Sequence, residues 1–134
     1  MISISDQLQE LAEHCAANGL QAPVSTRMPN GGMLIRILAV PVTGWNRPAV
    51  DVLFVAPPGY PAAQPDCFWV EPNNFRLADG RTPQNSNDGN PIPGEMLPGR
   101  RTTWFSWHVQ SWNPNRDSLV TFFKVVLNRL SPPR

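Results

Sequence analysis

Proline sets the first limit on what this chain can fold into. Its 134 residues include 16 prolines, concentrated between Pro41 and Pro114. A proline inside a helix removes a backbone donor and clashes with the preceding turn, so long helices are confined to the two ends. At the N-terminal end, Leu8, Leu11, Ala12 and Cys15 recur at helical spacing behind Ser5, which is expected to cap the helix. Gly19 is placed to end it, and Cys15 falls on its apolar face as a core residue. At the other end, Asn113 is expected as cap and Pro114 as first helical residue. Leu119, Phe122, Phe123, Val126 and Leu130 then line one face until Ser131-Pro132-Pro133 stops the helix.

Between the helices the apolar runs are short and rich in branched residues. After the Asn30-Gly31-Gly32 turn, Met33 to Val40 reads as a strand. A loop from Pro41 to Pro48 carries Trp45, and Ala49 to Ala56 reads as a second strand, antiparallel because the connection is too short for a crossover. Pro57-Pro58-Gly59-Tyr60-Pro61 breaks that strand, and Asp66 to Val70 gives a third, in which Cys67 is expected to be structural. From Glu71 to Trp112 no period persists. Turn signals such as Asp79-Gly80, Asp88-Gly89 and Pro98-Gly99 crowd a stretch too long to be an ordinary connection. Trp104, Trp107 and Trp112 are expected to pin this stretch to the sheet, whereas an exposed Trp45 would mark a binding surface. The resulting class is α+β, a single domain over 1–134 with an antiparallel meander covered by helices.

Composition excludes several functions. A formal charge of +1 with no basic stripe gives nucleic acid no electrostatic footprint. No apolar run is long enough to span a bilayer, and Met1-Ile2-Ser3-Ile4-Ser5-Asp6 does not read as a signal peptide, so no membrane partner is expected. Two cysteines without metal-ligand spacing fit a reduced, cytoplasmic setting, and no metal or small cofactor is expected. A metal hydrolase would need more ligands than two histidines and two cysteines supply. Ser106 with His108 lacks the flanking glycines of a nucleophile elbow.

Several strings, in order, resemble the ubiquitin-conjugating enzyme family. Phe54-Val55-Ala56-Pro57 followed by Tyr60-Pro61 and Pro65 is similar to that family's strand exit and Tyr-Pro turn. Cys67-Phe68-Trp69-Val70 is similar to the next strand, and Glu71-Pro72-Asn73 stands where His-Pro-Asn is expected. Trp112-Asn113-Pro114 resembles the late Trp-x-Pro ahead of the final helix. The resemblance covers nearly the whole chain and implies a UBC-like fold with a long active-site-type loop. The compact length and Phe105-Ser106-Trp107-His108 resemble the divergent bacterial members. Those are associated with ubiquitin-like proteins, activating enzymes and JAB-type peptidases in modification or antiphage operons. The implied partners are a ubiquitin-like protein and an activating-type enzyme.

The family's chemistry needs a thiolate to accept the acyl group, and the pattern fails there. In that family the cysteine closely follows His-Pro-Asn; here the corresponding stretch is Asp79-Gly80-Arg81-Thr82-Pro83. Three readings stay open. The domain binds a ubiquitin-like protein or activating enzyme without catalysis. Alternatively, Ser86 replaces the cysteine and forms an oxyester, with Asn73 and His108 assisting and His108 or Asp88 as base. Or the domain is a docking module of the related RWD type. Each residue also has a purely structural role open to it: Ser86 and Asn73 as turn residues, His108 as a core or interface histidine, Glu71 as partner of Arg81, Arg100 or Arg101.

Overall fold

The computed structural model describes residues 3–95 and 99–134; Met1, Ile2 and Pro98 of the expected Pro98-Gly99 turn lie outside them. The first helix, α1, spans Ile4–Ala17. Its cap is Ser3 and not the expected Ser5, because Ser3 is extended and its Oγ accepts the Asp6 N–H at 3.1 Å. Gln7, Leu11 and Cys15 form its buried face. Gly19 ends the helix at φ +73°: its own N–H reaches Ala16 O and the Leu20 N–H reaches Cys15 O. That pair of bonds satisfies two carbonyls of the last turn.

Six strands follow: β1 (Val24–Arg27), β2 (Met33–Pro41), β3 (Ala49–Ala56), β4 (Phe68–Glu71), β5 (Ser86–Asn87) and β6 (Thr103–Phe105). They form one sheet in the order β1-β2-β3-β4-β6-β5, each neighbouring pair antiparallel. The expected strands over 33–40, 49–56 and 66–70 are recovered, the last starting at Phe68 because Cys67 turns to φ +66°. β1 was not expected, since all four of its residues are exposed and carry no apolar alternation. β5 and β6 fall inside the stretch that reads as a long loop.

Nearly all of β3 is buried because both sheet faces are covered. Val50, Val52 and Phe54 face the helices, while Leu53 and Val55 pack with Leu34, Trp69 and Ile92 on the opposite face. Ile92 is delivered by the long segment, which is fastened there by Trp69 Nε1 donating to Asn90 O at 3.0 Å. The closing helix, α2 (Leu119–Leu130), begins later than Pro114. Asn113 instead closes a turn, accepting from the Asn115 amide and donating its N–H to Asp117 Oδ2. The true cap is Ser118, in a reciprocal box with Thr121. Among the described residues no helix is long and apolar enough to cross a membrane.

The tryptophans act as anchors, and Trp45 is one of them, not a surface residue. It is buried, stacks on Phe75 with centroids 4.2 Å apart and donates to Leu130 O at 2.9 Å. Trp112 donates to Pro61 O at 2.8 Å and so holds the Tyr-Pro turn. Truncating Trp45 to Ala is expected to lower unfolding stability by about 3–5 kcal/mol, as large core truncations do. Urea denaturation followed by far-ultraviolet circular dichroism checks this; an unchanged midpoint contradicts the assigned burial.

Candidate functional site

The Asp79–Pro83 stretch, where the resemblance leads one to expect a cysteine, folds as a tight exposed turn. Leu77 forms a bridge with Trp45 and is buried, which fixes the entry to the turn. The Gly80 N–H reaches Leu77 O at 2.8 Å, and the Leu77 N–H reaches Arg81 O at 3.0 Å. Gly80 sits at φ +90°, a conformation a glycine adopts without strain. Asp79 then closes the turn on itself, accepting from the Arg81 amide and, at 2.6 Å, from Arg81 Nε. Its carboxyl is held below the usual range by these Arg81 contacts, the backbone amide first. Thr82 is exposed beyond it, and no thiol lies in the stretch.

Asn73 lies just past the C-terminal end of β4, half-buried, with its backbone carbonyl accepting from Arg47 Nη2 at 3.2 Å. Glu71, where the family's histidine is expected, forms an ion pair with Arg100 as anticipated. It also pairs with Arg36, the two contacts being 3.0 and 3.3 Å. His108 lies past the other end of the β4–β6 pair. It is exposed and its Nδ1 meets Asp66 Oδ1 at 3.1 Å. The four residues of β4 alone separate the two sites by about 10 Å at the usual rise per strand residue. The structure therefore does not bring Asn73 and His108 together.

Ser86 is half-buried in β5, opposite Phe105 of β6. Its hydroxyl donates to Pro83 O at 2.7 Å, so the proton a base would have to take is held by a backbone carbonyl. Asp88, two residues on, is engaged elsewhere. Its carboxylate accepts from the Asn74 amide at 3.1 Å, from Thr103 Oγ1 at 2.7 Å and from the Arg76 guanidinium. Thr103 Oγ1 in turn accepts the Phe75 N–H at 3.1 Å. Asp88 thus joins β6, the Asn73–Arg76 segment and β5. A groove of about 530 Å³ runs beside β5, lined by Asn85, Ser106, Trp107, His108, Gln110 and Asn128 among others.

Sequence reasoning missed the pairing of His108 with Asp66 and the bracing role of Asp88. Both depend on β6, and three residues with one outward tryptophan are too few to show a strand period. The thiol inventory is clearer: Cys15 is buried in α1, and Cys67 is half-buried at the start of β4. Neither lies in the Asp79–Pro83 turn.

Burial works against the charge on Asp88, but hydrogen bonds from Arg76, Thr103 and the Asn74 amide outweigh it and hold its carboxyl below the ordinary range. A depressed folded-state value contributes stability above the unfolded value, which is lost as pH falls through the folded one. The urea midpoint of the native chain is therefore expected to fall as pH is lowered through the carboxylate range. Asp88→Asn should start lower at neutral pH and show a shallower slope; parallel slopes would remove Asp88 as the cause.

No curated protein and no solved structure matches the chain. Prokaryotic E2 family E matches over residues 8–132, nearly the full length. The helix, antiparallel sheet and closing helix are those of a UBC-like α+β fold, and the chain belongs to prokaryotic E2 family E.

Proposed function

We propose that the chain is a single UBC-like domain over residues 1–134 that serves a bacterial ubiquitin-like conjugation pathway in the cytoplasm without itself carrying the acyl group. In this reading it binds a ubiquitin-like protein and its activating-type enzyme and positions one against the other. Antiphage defence is the setting that the resemblance to bacterial members implies. The observation that supports this reading is the Asp79–Arg81 turn: the stretch that the resemblance sets against the family's cysteine is closed by an aspartate–arginine pair, followed by Thr82 and Pro83. Thr82 is an exposed alcohol, a poor nucleophile unless a base takes its proton.

One observation favours a second reading, an oxyester at Ser86. Asn85, the residue before it, shares a groove with His108, and about 300–1,000 Å³ is the size range of ligand clefts. In that route the Ser86 hydroxyl leaves Pro83 O, gives its proton to a base and attacks the activated C-terminal glycine carbonyl. The activating enzyme's group departs as the ester forms. Asn73, beyond the other end of β4, would then act through partner binding and not at the reacting atoms.

The test is intact-mass analysis after incubation with the activating enzyme, the ubiquitin-like protein and ATP, with gel filtration in parallel. The expected result is a stable complex with no covalent adduct. An ATP-dependent adduct that survives thiol reductants, yields to mild base and disappears in Ser86→Ala would replace the docking reading with the serine one. Absence of both adduct and complex would remove both.

A further inference from the structure

The sheet gathers three ligand-type side chains that the sequence keeps apart. Asp66, Cys67 and His108 place a carboxylate oxygen, a thiol sulfur and an imidazole nitrogen within 4.8 Å of one another. Asp66 Oδ1 lies 3.1 Å from His108 Nδ1 and 3.7 Å from Cys67 Sγ. Zinc bonds of about 2.0–2.3 Å put neighbouring atoms of a tetrahedral shell about 3.3–3.8 Å apart, so both separations are near those of a shared cation. We propose that Asp66, Cys67 and His108 form a binding site for a zinc-class divalent cation, a site independent of the conjugation reading above.

The backbone holds the three in place. Cys67 N–H donates to Trp107 O at 2.8 Å, one residue out of the β4–β6 register, and so holds Asp66-Cys67 against Trp107-His108. The left-handed backbone at Cys67 sets its side chain beside Trp104, on the sheet face away from the helices. Among the described residues His108 is the one ion-pair partner of Asp66, so no arginine or lysine neutralises that carboxylate. The alternative, a free nucleophilic thiol, suits the environment less well. A neighbouring carboxylate opposes a bare thiolate, whereas a divalent cation draws on thiolate and carboxylate together.

Three protein ligands of mixed type leave one position of a tetrahedral shell for water or an exchangeable ligand. His108 also lines the groove of about 530 Å³ beside β5. The rest of the chain offers little competition. The other histidine and cysteine, His14 and Cys15, belong to α1, where Cys15 is fully buried.

The experiment is titration of the metal-free full chain with Zn²⁺ by calorimetry and with Co²⁺ by absorption spectroscopy. One equivalent of either metal should bind, and Co²⁺ should give the near-ultraviolet band of a thiolate ligand. Loss of a supporting partner alone typically costs about 10–100-fold in affinity, so Cys67→Ser and His108→Ala should each cost at least that. His14→Ala should change nothing. Circular dichroism and urea midpoints of the variants establish that they fold, and Cys67→Ser is small enough to leave the packing in place. The proposal is overturned if neither metal binds, if Cys67→Ser binds as the native chain does, or if the cobalt complex lacks the thiolate band. It is equally overturned if iodoacetamide alkylates Cys67 at a rate that saturating Zn²⁺ does not slow.

Discussion

Four aromatic rings and one guanidinium hold the irregular half of this molecule to its regular half. Trp45 stacks on Phe75, Phe75 meets the edge of Phe105 at 6.1 Å, and Phe105 lies flat on Phe68 at 4.9 Å. Arg129 of α2 sits over the Phe105 ring at the middle of that pile, 4.9 Å from its centroid and 5.5 Å from that of Trp107. The rings come from a loop, β4, the long segment and β6, so the stack links regions that share few ladder hydrogen bonds. Fixing one residue's backbone costs about 1–2 kcal/mol in entropy, and the segment after Glu71 has little regular structure to offset this. Aromatic burial supplies the compensation.

Arg129 is nearly fully buried, and among the described residues no Asp or Glu pairs with it. It donates to two backbone carbonyls, Gln84 O at 2.8 Å and Arg134 O at 2.7 Å. Burial, with the charge of Arg134 adding to it, lowers its pKa to about 10, so it remains charged at neutral pH. Its function in the fold is mechanical: it ties the residues just before β5 to the closing helix. Asp88 does the corresponding work on the other side of β5. The two-residue strand carrying Ser86 is thus clamped from both flanks, which explains how so short a strand holds a register against β6.

The ends of the chain were legible in the sequence, and so was the central meander. Their apolar positions repeat over enough residues to show a period, as from Leu119 to Leu130 or Ala49 to Ala56. The caps were less so: Ser3 and Ser5 differ only in which hydroxyl meets an amide, and Asn113 closes a turn where a helix start was expected. The long segment hid its two strands because Ser86-Asn87 and Thr103-Trp104-Phe105 are shorter than any detectable alternation. Trp45 could not be assigned to core or surface, since its burial rests on Phe75 and Leu130, far away in sequence. Of the expected site residues, His108 lines the groove and Ser86 only follows Asn85 of its wall, while Asn73 is not among the groove's lining residues. Their separation follows from strand β4, which a reading by motif order treats as if it had no length.

The β1 edge of the sheet has one further consequence. Strand β1 has all four residues exposed and presents backbone donors and acceptors along its outer side. Such edges recruit strands from other molecules and seed fibrous association. Here Pro23 stands immediately before the strand, Pro29 closes it off two residues beyond its end, and Arg27 places a charge within it. A foreign strand would meet only a few consecutive amides before a residue with none to offer. This bracketing limits self-templated growth along that edge.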